Sequence, residues 1–222
     1  MGSEQDLAGR IRAVRRRLSE DGPPRVRADG DFECVSLPAS DSDILRDLLL
    51  AEKPGTVIEI GLAYGSSALA IAEALVANGS ASPRHLIIDA YQQHFHGSGW
   101  AAIADAGLAG LCRLVEERSQ LALPRLLGDG FVADAAFVDG SHIFHNVFVD
   151  LFYLRELVRP GGLVILDDCN YLSVATAVRY FEVNTGWVPE PIPVPSRLRA
   201  FRLPEVRTEP GFKSFRPFGP DL

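Results

Sequence analysis

Cysteine is scarce in this chain of 222 residues: Cys34, Cys112 and Cys169 are the only three, and they lie far apart. They form no C-x-x-C pair, no zinc-ligand spacing and no disulfide framework, which suits a reducing cytosol and makes a cytoplasmic location the expectation. No apolar run approaches the roughly 20 residues of a membrane-spanning helix, and no signal peptide opens the sequence, so no membrane partner is expected. Positive charge is also short. The 22 Lys and Arg against 29 Asp and Glu leave a formal net charge of −7. A protein that coats nucleic acid is normally basic, so no nucleic-acid partner is expected either. The one basic stretch, "RIRAVRRRL" at 10–18, reads as the solvated face of a helix. Internal repeats and low-complexity segments are missing. So is G-x-G-x-x-G, the pyrophosphate-binding turn of a dinucleotide site.

What is present is an ordinary globular composition, 47% apolar and 23% charged, with enough chain for one sizeable core. Residues 4–20 carry Leu7, Ile11, Val14 and Leu18 at helical spacing. Residues 21–36, polar and rich in Gly and Pro, read as a connector. The stretch "SDSDILRDLLLAEKP" reads as a helix with Ser40 or Asp41 as N-cap and Pro54 as its stop. From there apolar strand-like runs at 56–61, 85–90, 113–117, 135–140 and 162–168 alternate with helical segments at about 66–78, 99–109, 119–128, 143–158 and 171–185. Such alternation predicts βαβ units: an α/β fold with a mostly parallel, doubly wound sheet and helices on both faces, in three layers. Two further runs, "WVPEPIPV" and "RLRAFRLP", read as an antiparallel hairpin at one sheet edge. The expected organisation is an N-terminal helix and connector (1–37), a main domain (38–203) and a surface tail (204–222). The N-terminal helix and the "FVDLFYL" helix offer apolar surface for a homodimer.

Ligands of open α/β sheets bind outside the carboxyl ends of the strands. Polar residues gather at those ends here: Glu59 and Gly61, then Asp89, Glu116 and Glu117, Asp139, and Asp167 with Asp168. In "VIEIGLAYGSSALAIAEAL" (57–75), Gly61 and Gly65 allow a tight turn and a close approach of ligand to backbone. Ser66 and Ser67 open the following helix, where hydroxyls and free N–H groups can hold a carboxylate. Asp89 ends the second strand run, where a carboxylate can accept both hydroxyls of a ribose. Asp139 and Asp167 stand 28 residues apart, each at the end of a strand, and with Asp168 form a cluster of carboxylates that favours a hard cation such as Mg²⁺. A metal-bound hydroxyl loses its proton more easily.

Taken together, "EIGLAYGSS", the acidic "IIDA", "EERSQ" and "FVDGSH…LVRPGGLVILDD" resemble the class I S-adenosylmethionine-dependent methyltransferases over roughly residues 38–203. The resemblance implies a seven-stranded sheet with a reversed edge strand. It also implies a donor with a ribose and an amino-acid tail but no pyrophosphate, which explains the abbreviated glycine turn. It assigns Glu59, Gly61, Tyr64, Gly65 and Ser67 to the methionine side of the donor, Asp89 to its ribose, Ser119 to the region of its adenine, and Asp139 to the cofactor as well. The second constellation is similar to the cation-dependent small-molecule O-methyltransferases, both the catechol type and the type that methylates sugars of natural products. That likeness puts Asp139, Asp167 and Asp168 at the metal-ligand positions and His142 where the catechol type has its lysine base. A neutral imidazole takes a hydroxyl proton near pH 7 without a large pKa shift. Two departures stand out: Ser141 precedes the base where the catechol type has an aromatic residue, which bears on the adenine contact, and Asp168 is a carboxylate where the catechol type has an amide, which favours the sugar-type relatives. His145 is the second candidate base, and His94, His96 and Trp100 are candidates for the border of the substrate pocket. The expected activity is methyl transfer to a hydroxyl of a small molecule. The alternatives are a metal-independent O- or N-methyltransferase, an NAD-dependent oxidoreductase, and a binding protein that keeps the fold without catalysis.

Overall fold

The computed structural model describes residues 2–80, 82–192 and 194–219. By internal contacts the chain divides into two compact units, residues 1–119 and 120–222. In the first unit come α1 (Gly2–Asp21), α2 (Asp31–Val35), α3 (Ala39–Glu52), β1 (Thr56–Ile60), α4 (Ser66–Ala77), β2 (Arg84–Ile88), a 3₁₀ turn (Gln92–Phe95), α5 (Ser98–Asp105) and β3 (Cys112–Val115). The strands are parallel, with β2 between its neighbours: Thr56 pairs with Arg84, Ile60 with Ile88, His85 with Cys112 and Ile88 with Val115. β1 is buried along its whole length, as a parallel strand covered on both faces must be.

The spacing in α1 does what it predicted. Ile11, Val14 and Leu18 are buried, and Leu7 packs at the margin, in one cluster with Leu69 and Ala72 of α4 and Ile103 of α5. Each such side chain contributes about 1.5–3 kcal/mol. Arginines flank this face. Arg15 pairs with Glu73 and, at 2.9 Å, with Asp43; Arg17 pairs with Asp105 at 2.8 Å, and Arg10 with Asp6 at 3.1 Å.

α6 (Ser119–Gly128) begins at the last residue of the first unit, and β4 (Ala133–Val138), α7 (Phe144–Leu157), β5 (Val158–Leu166), α8 (Leu172–Thr185), β6 (Val188–Glu190) and β7 (Arg199–Arg202) follow. β4 and β5 are parallel, β7 runs antiparallel to β5, and β6 antiparallel to β7. The strand order is β3-β2-β1-β4-β5-β7-β6, a seven-stranded, mostly parallel sheet with the antiparallel hairpin at its edge. This is the expected doubly wound α/β fold. Among the described residues no helix is long and apolar enough to cross a membrane.

Several local expectations are corrected. α3 starts at Ala39 with Pro38 as its N-cap and no side-chain cap, so neither Ser40 nor Asp41 takes that role. Pro38 is already fixed in extended conformation, and its carbonyl receives the Ser42 N–H at 2.8 Å. The stop at Pro54 holds, through Lys53 in a left-handed conformation. The connector contains a helical turn, α2, and is pinned: the Arg27 guanidinium lies 4.6 Å over the Phe95 ring and pairs with Asp31, and Ser98 Oγ donates to the Arg25 carbonyl. β5 begins at Val158, so "RPGG" lies inside the strand. The tail is tied to α7: the Arg207 guanidinium donates to the carbonyls of Glu156 and Val158, and Arg155 donates to that of Thr208. Pro193 of the hairpin run and residues 220–222 of the tail lie outside the described residues.

Candidate active site

The turn between β1 and α4 is built from left-handed residues. Gly61 has φ of 94°, Ala63 43° and Gly65 92°. Gly61 N–H donates to the Ile88 carbonyl, and Gly65 N–H to that of Leu62. A Cβ on Gly65 would meet the Gly99 carbonyl oxygen at 3.1 Å. α4 therefore starts with no side-chain cap, and among the described residues its first N–H groups have no partner, which leaves them open to a ligand.

Asp89 holds this turn in shape. Its Oδ2 accepts the N–H groups of Leu62 and Ala63, both at 3.0 Å, and Gln92 Nε2 at 2.9 Å; among the described residues its Oδ1 accepts Tyr91 N–H alone, at 2.7 Å. Oδ1 thus retains acceptor capacity for a further donor such as a ribose hydroxyl. Gln92 also donates to the Ala63 carbonyl, so the strained Ala63 peptide is gripped from both sides.

Glu59 is fully buried in β1: Ser67 Oγ donates to its Oε1 at 2.5 Å, while its Oε2 has no aligned hydrogen bond and has His85 Nε2 2.9 Å away as its ion-pair partner. His85 Nδ1 in turn lies 3.6 Å from Cys112 Sγ. Burial opposes charge on this imidazole, but Cys112 and Glu59 outweigh it and push His85 up to about 9. Tyr64 is fully buried. Its ring packs edge-on against Phe32 and Phe95, and its hydroxyl donates to Asp31 and accepts Arg27 N–H. Ser119 is buried at the start of α6. His94 and His96 are exposed, with His94 stacked on Tyr91, while Trp100 packs against the core cluster beneath α1.

The second unit carries the acidic cluster. Among the described residues, the side chains whose ligand atoms converge within 4.8 Å of one another are Asp139, His142 and Asp168. His142 Nε2 lies 3.0 Å from Asp168 Oδ2 and 3.9 Å from Asp139 Oδ1, and its ring stacks on Tyr171 with centroids 5.2 Å apart. Ser173 Oγ donates to the His142 carbonyl at 2.6 Å, tying the loop after β4 to the start of α8. Asp168 sits at φ of 55°, a left-handed conformation of the kind that recurs at functional sites.

Asp167 does not join this group. Its Oδ1 accepts Asp168 N–H, and its Oδ2 faces the Arg197 guanidinium at 2.6 Å. Arg197 also reaches to 3.6 Å from Asp168. Nothing in the sequence singles Arg197 out, because only the antiparallel return of β7 along β5 brings its loop to the end of β5. His85 had a local signal, an imidazole inside an otherwise apolar strand.

The electrostatics differ from the expected neutral imidazole. The carboxylates of Asp139 and Asp168 beside it push His142 up to about 10, so as placed it carries a proton at neutral pH. Burial, helped by the neighbouring carboxylates, pushes Asp139 up to about 7, whereas His142 and Arg197 hold Asp168 below the usual carboxylate range. His145 is exposed on the first turn of α7.

This geometry can be set beside known proteins. Residues 58–169 match the family described as a methyltransferase domain. A comparison with curated proteins finds no match. Among solved structures, the O-methyltransferase TomG of Streptomyces achromogenes, involved in tomaymycin synthesis and bound to S-adenosylmethionine, is 20% identical with a TM-score of 0.66, over 88% of this chain and 89% of that one. An O-methyltransferase from Bacillus cereus in complex with S-adenosylhomocysteine is 17% identical with a TM-score of 0.64, over 87% and 90%. A Podospora anserina methyltransferase bound to S-adenosylhomocysteine is 15% identical with a TM-score of 0.65, over 89% and 87%. These likenesses establish the fold, and the family match covers the turn, the ribose-end acid and the aspartate cluster. The chain belongs to the methyltransferase-domain family, as a class I S-adenosylmethionine-dependent methyltransferase.

Proposed function

We propose that the protein transfers the methyl group of S-adenosylmethionine to a hydroxyl of a small molecule. The observation that supports this most is the convergence of Asp139, His142 and Asp168 around a partly exposed imidazole. In this reading Gly61, Gly65 and the free N–H groups of α4 receive the methionine tail of the donor, Ser67 lies at that end with Glu59 buried behind it, and Asp89 Oδ1 takes the ribose. The sulfonium methyl is already activated, so the chain's task is alignment, exclusion of water and removal of one proton. His142 is the group that takes the acceptor's proton, which requires that it first give up the proton its carboxylate neighbours hold on it.

Two carboxylates and an imidazole at this spacing fit a divalent cation, held by Asp139 and Asp168 with His142 beside it. When bound, the cation would offset the carboxylate charge that keeps His142 protonated and would acidify the acceptor hydroxyl. Asp167 has a different part in this reading: paired with Arg197, it orients the Asp168 backbone rather than a metal. Arg197 also favours a second reading, in which its permanent charge takes the cation's place and the enzyme needs no metal.

A hydroxyl-acceptor library assayed with radiolabelled donor tests both. Asp168→Ala is expected to lower kcat by about 10²–10⁴-fold while leaving S-adenosylhomocysteine affinity unchanged. Activity abolished by EDTA and restored by Mg²⁺ supports the cation; activity indifferent to EDTA selects the Arg197 reading. Full activity in both Asp168→Ala and His142→Ala would remove the proposed acid–base site.

A further inference from the structure

Outside the acidic cluster the chain contains a second group of ionisable side chains, wholly inside the first unit. Ser67 Oγ, the Glu59 carboxylate, the His85 imidazole and the Cys112 thiol follow one another across α4, β1, β2 and β3, with separations of 2.5, 2.9 and 3.6 Å. The side chains of Glu59 and His85 are 0% exposed. An ionised carboxylate with no access to water costs several kcal/mol unless a positive partner and hydrogen bonds compensate it. The groups that face His85 are Glu59 from β1 and Cys112 from β3, while α4 contributes the Ser67 hydroxyl through Glu59. Glu73, the other acid on the buried part of α4, is already taken by Arg15. Among the described residues, His85 is thus the cation set against Glu59.

Glu59 in turn fixes Ser67, the second residue of α4, at the helix start whose free N–H groups face the donor turn. The same hydroxyl that would meet the methionine tail has its rotamer set by a carboxylate that an imidazole on the neighbouring strand faces.

We propose that His85 is a positioning residue for the amino-acid tail of the donor, acting through Glu59 on Ser67 and the first turn of α4. This rests on the assignment of that turn to S-adenosylmethionine. Loss of the His85 contact frees Glu59 to rotate or to take up a proton, and Ser67 then loses its fixed acceptor. The ribose and adenine contacts are untouched, because Asp89 is held by a separate set of N–H groups.

The experiment uses two probes on the full chain, S-adenosylhomocysteine, which has the tail, and methylthioadenosine, which does not. Binding of each is measured by calorimetry for the native protein, His85→Gln and His85→Leu, with thermal unfolding of each variant in parallel. His85→Gln, which keeps a donor but no charge, is expected to weaken S-adenosylhomocysteine about tenfold, the scale of one charge-assisted hydrogen bond, and methylthioadenosine by less than about twofold. The ratio of native to variant affinity for S-adenosylhomocysteine is expected to fall towards one as pH rises through about 9; the ligand's own amino group titrates equally in both and cancels. Equal weakening of both probes, or a lowered melting temperature with neither probe affected, would overturn the proposal and leave His85 a packing residue. If His85→Leu does not fold, the two-probe comparison with His85→Gln still decides. Failure of the native protein to bind S-adenosylhomocysteine at all is a different result, and it would remove the donor assignment itself.

Discussion

Asp89 entered as the acid for a ribose, and the structure gives it a second task that can be measured without any ligand. Four N–H groups converge on its carboxylate: Leu62, Ala63 and Tyr91 from the backbone and Gln92 from its side chain. In Asp89→Ala, Ala63 and Tyr91 can turn to water, since one is half-buried and the other exposed, but Leu62 and Gln92 are buried and cannot. An orphaned buried donor costs about 1–3 kcal/mol, so the variant is expected to lose about 3–5 kcal/mol. Asp89→Asn retains one oxygen toward the three donors at Oδ2 and places its amide against Tyr91 N–H, so its expected loss is about 1–2 kcal/mol. Urea unfolding at constant m-value reads both. The order native, Asn, Ala is the signature of a carboxylate that organises the turn. Were Asp89→Ala within about 0.5 kcal/mol of native, the acid would have no structural role, and its four contacts would be incidental.

Two further outcomes follow from the same unit. Gly99→Ala sets a Cβ 2.5 Å from the Ala63 carbonyl oxygen and 2.8 Å from Leu62 Cγ, so a loss of about 1–3 kcal/mol together with weakened S-adenosylhomocysteine binding is expected; unchanged unfolding and binding would show that the two loops part freely. Stability should also fall with rising pH. His85 is raised from 6.5 to about 9 in the folded chain, so its contribution is complete below about pH 6.5 and is lost as pH rises through about 9. Chemical denaturation at pH 6.5 and 9.5 should show the decline in the native protein and a flatter profile in His85→Gln; parallel profiles would separate His85 from the effect.

Much of the fold is legible from local pattern, because hydrophobic period and glycine punctuation act over a few residues. The strands β1 to β5 and helices α4 to α8 fall within a few residues of where alternation puts them, and the hairpin of β6 and β7 reads from two short runs in succession. Missed details have local physical causes. Pro38 starts α3 because its fixed backbone already points the chain into the helix, which no preference for Ser or Asp at a cap overrides. The 3₁₀ turn at Gln92–Phe95 has no apolar period to announce it.

The sequence by itself determined the alternation of strands and helices, the glycine turn, and which carboxylates end which strands, since each depends on neighbours in the chain. Tertiary structure alone decided what those carboxylates do. It set His85 against Glu59, turned Tyr64 onto Asp31, brought Arg197 onto Asp167, and left Asp139, His142 and Asp168 as the converging group. The physical reason is that a side chain's charge state and partners depend on burial and on distances of a few ångströms. Those distances arise between residues far apart along the chain, where periodicity carries no information.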